Sequence, residues 1–258
     1  MNDKRPTYFP GYNILNEKQE KSKWEKFKTT YKDEGLTSLI KRIFIYTIYG
    51  INYTIFSINY TVFNRFFILD GKKYHYFINI YNSVISERVV EIPFAKEFFL
   101  RNRGKTILEI GNVLSHYFSV SHEIVDKYER DPRVINVDII DFDTEKKYDL
   151  IISVSTMEHV GFDELHREMG ESKRSILKII DLLNYNGTAM ITVPLGYNPE
   201  IDSIILNDEI IFTKKYFLKR VSRFNLWRET TIEDALNYKY GQKYSAANSV
   251  AFLIYCKE

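Results

Sequence analysis

From Lys105 onward, short apolar runs alternate with polar stretches long enough for helices. Residues 106–110, 123–125, 134–137, 150–154, 188–193 and 249–255 each read as a buried strand. Residues 172–183 repeat their apolar positions at helical spacing, and Asn186-Gly187 reads as a turn before the fifth strand. Apolar strands separated by helices predict a mainly parallel sheet covered on both faces. Such sheets bind ligands beyond the carboxyl ends of their strands.

The N-terminal third has a different pattern. Residues 1–37 are polar, with Lys and Glu clustered between 17 and 28, and read as a solvated helical leader. Residues 43–64 carry no charge, and residues 46–66 repeat every seven positions: YTIYGIN, YTIFSIN, YTVFNRF. Ile48, Ile51, Ile55, Ile58 and Val62 then form one continuous seam on a helix. The abundance of Ile, Tyr, Thr and Phe also suits a strand. The asparagines at 52, 59 and 64 argue against a membrane span. The stretch therefore reads as a packed or partner-facing amphipathic helix, ahead of a membrane-surface helix. Asp70-Gly71 between two strand-like runs predicts a hairpin. Residues 86–103 predict a short linker and a helix, with Pro93 in its first turn and Phe94, Phe98 and Leu100 on its apolar face. The expected division is an extension of helices and a hairpin over 1–85, followed by an α/β domain over 86–258.

Composition narrows the function classes. Thirty-six basic against 34 acidic residues give a net charge of +2, which is not the footprint of a dedicated nucleic-acid binder. The single cysteine, Cys256, allows no internal disulfide and no Cys-rich zinc site. With no apolar run near Met1, a cytoplasmic location is expected, membrane-associated if 43–64 meets a lipid surface.

The candidate chemistry lies where the strands end. The first closes on Glu109-Ile110-Gly111, where glycine permits a sharp turn and close approach of backbone to a ligand. The second ends at Asp126, a carboxylate able to accept both hydroxyls of a ribose. The third ends at Asp138-Ile139, an acceptor for an adenine amino group beside an apolar contact. The fourth runs through Val154 and Ser155 into Glu158-His159. The run of motifs resembles the class I S-adenosylmethionine-dependent methyltransferases, in an uncharacterised branch. It covers roughly residues 86–258 through the acid-spacer-glycine motif, the two strand-end acids, Glu-His, EIGNVLSHY and TVPLGYNP.

The resemblance implies a Rossmann-like, seven-stranded, mostly parallel sheet with helices on both faces. It also implies S-adenosyl-L-methionine as cofactor. Glu109, Gly111, Asn112, Asp126, Asp138, Ile139, Val154 and Ser155 are then the expected cofactor residues. The first motif departs from the family in having few glycines, with Asn112, Val113 and Leu114 after Gly111, and the following helix must be brief. Three glycines at fixed spacing, as a nicotinamide site requires, are absent. His159 is the candidate catalytic base; the competing reading has Glu158 and His159 capping the next helix. Tyr197, Trp227, Tyr238, Tyr240 and Tyr244 are candidates to line an acceptor pocket, though core packing accounts for aromatic residues equally well. The scattered histidines 116, 122, 159 and 166 suggest no metal site, and no Gly-x-Ser-x-Gly elbow occurs. The expected reaction is methyl transfer to oxygen or nitrogen of a small molecule or glycan intermediate, with no nucleic-acid partner and a membrane-surface or protein contact through 43–64. The alternatives are a non-catalytic binding or assembly protein that keeps the fold, and a nucleotide-sugar enzyme of the dinucleotide-binding type.

Overall fold

The computed structural model describes residues 47–48, 50–51, 53–63, 65–79, 85–164, 169–244 and 246–258. The leader over 1–37 and His166 lie outside them. The chain divides into Met1–Tyr49 and a compact unit, Gly50–Glu258. The unit's boundary falls before the hairpin, because the hairpin's inward side chains belong to the same core as the sheet. That hairpin comprises β1 (Phe66–Leu69) and β2 (Lys72–His75). Its two turn residues both have positive φ, 53° at Asp70 and 69° at Gly71, which matches the twist of a two-residue hairpin.

The main sheet has eight strands, one more than the resemblance implied. In chain order they are β3 (Ile107–Ile110), β4 (Glu123–Val125), β5 (Val134–Ile135), β6 (Tyr148–Val154), β7 (Leu183–Pro194), β8 (Lys214–Arg220), β9 (Trp227–Thr230) and β10 (Ser249–Cys256). Their spatial order is β5-β4-β3-β6-β7-β10-β8-β9. Strands β3 to β7 are mutually parallel, while β10 runs antiparallel to both β7 and β8, and β8 pairs antiparallel with β9. Strands β8 and β9 escape sequence detection because charged residues dominate them: KKYFLKR and WRET. The predicted turn at Asn186-Gly187 is instead an irregularity inside β7. Asn186 has φ 61°, and the pairing with β6 shifts between Tyr148–Leu183 and Leu150–Thr188.

Period-two alternation sorts the strand residues onto two faces. Ile107, Leu150, Ile152, Val154, Met190, Val250 and Phe252 share a core with helix α1 (Arg88–Arg101), the hairpin, Phe56 and Tyr60. Leu108, Ile110, Ile151, Ile191, Val193 and Leu253 share the other with α2 (Glu171–Asp181) and α3 (Pro199–Leu206). A short helix, α4 (Ile232–Ala235), contributes Ala235 to that second core. The helix α1 starts at Arg88, so Pro93 lies in its interior rather than its first turn. Proline removes the hydrogen bond to the carbonyl four residues back. That carbonyl, on Val89, accepts instead from the Phe77 N–H at 2.9 Å. Phe94 packs edge-on against Phe252 with ring centroids 4.9 Å apart, whereas Leu100 is exposed. Between β3 and β4 the connection contains only a 3₁₀ turn, Leu114–His116. Among the described residues, no helix is long and apolar enough to cross a membrane.

Candidate active site at the sheet's switch point

Strand β3 has β4 on one side and β6 on the other, so the chain reverses its direction across the sheet there. A crevice beyond the carboxyl ends of β3 and β6 is where such sheets take ligands. Gly111 ends β3 with φ 81°, and its backbone meets the start of the post-β6 loop. A Cβ on Gly111 would lie 2.2 Å from Thr156 Oγ1. A bare backbone with positive φ is therefore required for β3 and β6 to close on each other.

The loop after β3 is internally saturated. The Gly111 N–H donates to Val125 O at 2.8 Å, and Asn112 N–H to Asp126 Oδ2 at 3.1 Å. Val113 and Leu114 N–H both donate to Glu109 Oε1, at 2.8 and 2.7 Å. The other Glu109 oxygen lies 2.6 Å from His122 Nε2. Alternation along β3 sets Glu109 on the α1 face, where it is fully buried. Its carboxylate thus braces the loop and faces internal partners only. His122 Nδ1 is buried without a partner.

Asp126 stands at the tip of β4. Its Oδ1 accepts from Tyr128 and Glu129 N–H, both at 2.8 Å. With Asn112 that makes three acceptances, and a carboxylate offers about four lone-pair sites. Glu129 lies alongside; burial raises its pKa, the neighbouring Asp126 charge adds to the rise, and His116 offsets part of it. Asp138, half-buried after β5, accepts from Ile140 N–H at 3.0 Å and pairs with Lys127 at 2.9 Å. Lys127 also bonds Glu164. Asp126, Glu129, Asp138 and Glu164 are thereby linked around the β4 and β5 ends. Ile139 packs into the core with Phe142 and Val125, and Val154 is equally buried in the opposite core.

Ser155 continues β6 with φ 40°, a conformation costly for a residue with a side chain. The geometry turns its hydroxyl onto Glu91 Oε1 at 2.6 Å. Glu91 is fully buried on α1 and pairs with Arg88, whose guanidinium also donates to Val154 O at 2.9 Å. Glu87, one turn earlier, accepts from Ala247 N–H at 3.3 Å. Three buried carboxyl groups, Glu87, Glu91 and Glu158, thus gather by the β6 end. Burial raises the Glu91 pKa despite Arg88, and burial pushes Glu158 up to about 8. The Glu158 Oε2 has no hydrogen-bond partner.

His159 is half-exposed. Its Nδ1 lies 2.5 Å from Asp163 Oδ2, and its Nε2 3.6 Å from Glu158 Oε1. Partial burial works to lower its pKa, but the Glu158 and Asp163 charges outweigh it and the net shift is upward. Asp163 also accepts from Tyr197 OH at 2.7 Å. Tyr197, after β7, stands edge-on to His159, Phe162 and Tyr240, with centroids 5.1, 5.6 and 5.1 Å away. The carboxylate of Glu87 is the largest influence raising the Tyr240 pKa, followed by burial. Of the five late aromatics, Tyr197 and Tyr240 join His159. Trp227 is buried on β9 beneath the hairpin, bonded to Tyr76 and Asn225, and Tyr244 packs under the Arg220 guanidinium. Glu91, Arg88 and Asp163 carried no sequence signal, because only the packing of α1 and the post-β6 turn brings them here. Among the described residues, no group of His, Cys, Asp and Glu is arranged to hold a metal ion.

No family model matches the chain, and no curated protein does. Solved structures similar to it include the N-methyltransferase NodS from Bradyrhizobium japonicum WM9 in complex with S-adenosyl-L-homocysteine. That match has 12% identity over 64% of this chain and 84% of that one, with a TM-score of 0.41. A second is Burkholderia thailandensis 1,6-didemethyltoxoflavin-N1-methyltransferase, at 13% identity, 65% and 78% coverage and a TM-score of 0.40. An rRNA methylase from Streptococcus thermophilus is similar at 12% identity, 65% and 97% coverage and a TM-score of 0.38. These are likenesses of fold at low identity; the chemistry follows from the site's own residues.

Proposed function

We propose that the crevice at the β3/β6 switch point takes S-adenosyl-L-methionine and that the protein methylates a small molecule, with an amine nitrogen the favoured acceptor. The observation that carries this reading is the saturated loop at 111–114 beside an acid-lined rim. All four N–H groups are consumed by Val125, Asp126 and Glu109. A pyrophosphate needs such N–H groups free at a turn or helix start. The rim instead presents Asp126, Glu129 and Asp138, which suit a ribose diol, an adenine amino group and a sulfonium. This disfavours a dinucleotide. The same residues fit the adenosyl ligand: Asp126 for the ribose with its remaining acceptor capacity, Asp138 for the adenine side, and Asn112 and Gly111 beside the bend.

S-Adenosylmethionine supplies a methyl group on a sulfonium, already activated for displacement. The chain's part is alignment and proton removal. With the cofactor bound, methylation of an amine would leave on nitrogen a proton that a residue of the chain must take. His159, oriented by Asp163, is the group able to take it. The Tyr197 and Tyr240 rings, with the Glu87 carboxylate beside Tyr240, favour an amine, held as its cation before it gives up a proton, over a neutral alcohol. A glycan intermediate bearing an amino sugar meets the same requirement.

Calorimetry with S-adenosylmethionine and S-adenosylhomocysteine tests the cofactor. Heat is expected from both and none from a nicotinamide dinucleotide, with Asp126→Asn weakening affinity roughly tenfold, the loss of about one hydrogen bond to a charged group. If neither adenosyl ligand binds, the non-catalytic binding protein is the better reading.

A further inference from the structure

Residues 53–62 form a helical stretch with two apolar stripes. One faces the core: Phe56 and Tyr60 are buried and Tyr53 packs against them. The Tyr60 ring stacks on Tyr76 at 4.7 Å, and its hydroxyl donates to Phe224 O and Asn225 O, both at 3.0 Å. Phe56 stands edge-on to Phe224 at 6.1 Å. These contacts fix the rotation of the helix. At 3.6 residues per turn they leave Ile51, Ile55, Ile58 and Val62 on the opposite face, where they are between 46 and 68% exposed. The seam visible in the sequence is therefore the outward stripe, and the tyrosines and phenylalanine between its members form the buried one.

We propose that this outward stripe is the interface with a second copy of the chain, paired helix to helix about a two-fold axis. Three observations select that occupant. First, the apolar positions follow one another at spacings of four, three and four within a seven-residue repeat. That is the narrow stripe of a seam between two helices, where each side chain enters a hole on the partner; a membrane-surface helix carries a strongly charged polar face, which residues 43–64 lack. Second, exposed Thr54 and Thr61 and half-buried Asn59 flank the stripe, and no charge occurs between 43 and 64. An uncharged stripe meets its own copy without like-charge repulsion, as an isologous contact requires. Third, these four side chains are about half exposed on each copy, and burying them with the flanking Thr54, Asn59 and Thr61 removes on the order of 1,000 Å² from water over both copies, the threshold for a specific interface.

Sedimentation equilibrium of the full chain at tens of micromolar tests this. The expected mass is twice the 30.7 kDa of one chain, and Ile55→Glu/Ile58→Glu is expected to return it to one chain with an unchanged circular dichroism spectrum. Should that variant fail to fold, Ile55→Ala/Ile58→Ala keeps helix propensity and is expected to weaken the dimer at least tenfold. A single-chain mass for the wild type overturns the proposal. In that case flotation with phosphatidylcholine/phosphatidylglycerol vesicles assigns the stripe to lipid, and its absence assigns it to the chain's own N-terminal residues. A dimer that survives both substitutions also overturns it.

Discussion

Glu158 offers a test that needs no knowledge of the acceptor. Its carboxyl is 1% exposed, one oxygen has no partner, and burial carries its pKa from 4.5 to about 8 despite His159 3.6 Å away. Between those two values the folded protein keeps a proton that the unfolded chain has released. Stability contributed by this group is therefore full below pH 4.5 and is lost as pH rises through 8. At about 1.4 kcal/mol per unit the loss approaches 5 kcal/mol; relaxation around the site trims that to about 2–3 kcal/mol. Glu158→Gln removes the titration and keeps the shape. Urea unfolding of both proteins at intervals from pH 4.5 to 9 gives the difference curve. The variant is expected to gain on the wild type from pH 4.5 to about 8 and to level off above it; Asp202 titrates in both proteins and cancels, whereas His159 loses the Glu158 charge that raises its pKa and adds a difference of its own. Parallel curves would refute the assignment of a buried, neutral Glu158.

Two further substitutions probe the site's frame. Gly111→Ala combines a left-handed φ with a Cβ driven onto Thr156; it should cost roughly 2–4 kcal/mol in denaturant unfolding, partly restored by Thr156→Ala. His122→Leu leaves the buried Glu109 carboxylate without its imidazole and should cost about 3 kcal/mol, while adding Glu109→Gln should recover part of that loss by removing the buried charge.

Local signals in the sequence were strong where one residue type serves one geometry. Asp70-Gly71 set the hairpin turn, and Gly111 the bend after β3. The apolar runs of β3, β6, β7 and β10 marked the central sheet because strands covered on both faces tolerate little else. Signals failed where exposure or context masked them. The lysines of β8 and the short WRET of β9 look like surface loop, and Pro93 looks like a helix start. The helix tolerates it because Phe77, in the segment after β2, supplies the missing donor to the Val89 carbonyl.

Glu109 shows the same division at the site. Its place in an acid-spacer-glycine motif was plain, but its partners, the N–H groups of 113 and 114 and the ring of His122, depend on which face of β3 it occupies.

By itself the sequence determined the strand-helix alternation, the acids at strand tips and the seven-residue repeat, since each follows from spacing along one chain. Only the tertiary structure decided which of the helix's two apolar stripes is buried and that Glu91, Arg88, Asp163 and Tyr197 join His159. Those facts depend on contacts between segments far apart in the chain, whose side chains carry no mark of their partners until packing fixes the rotation of each element.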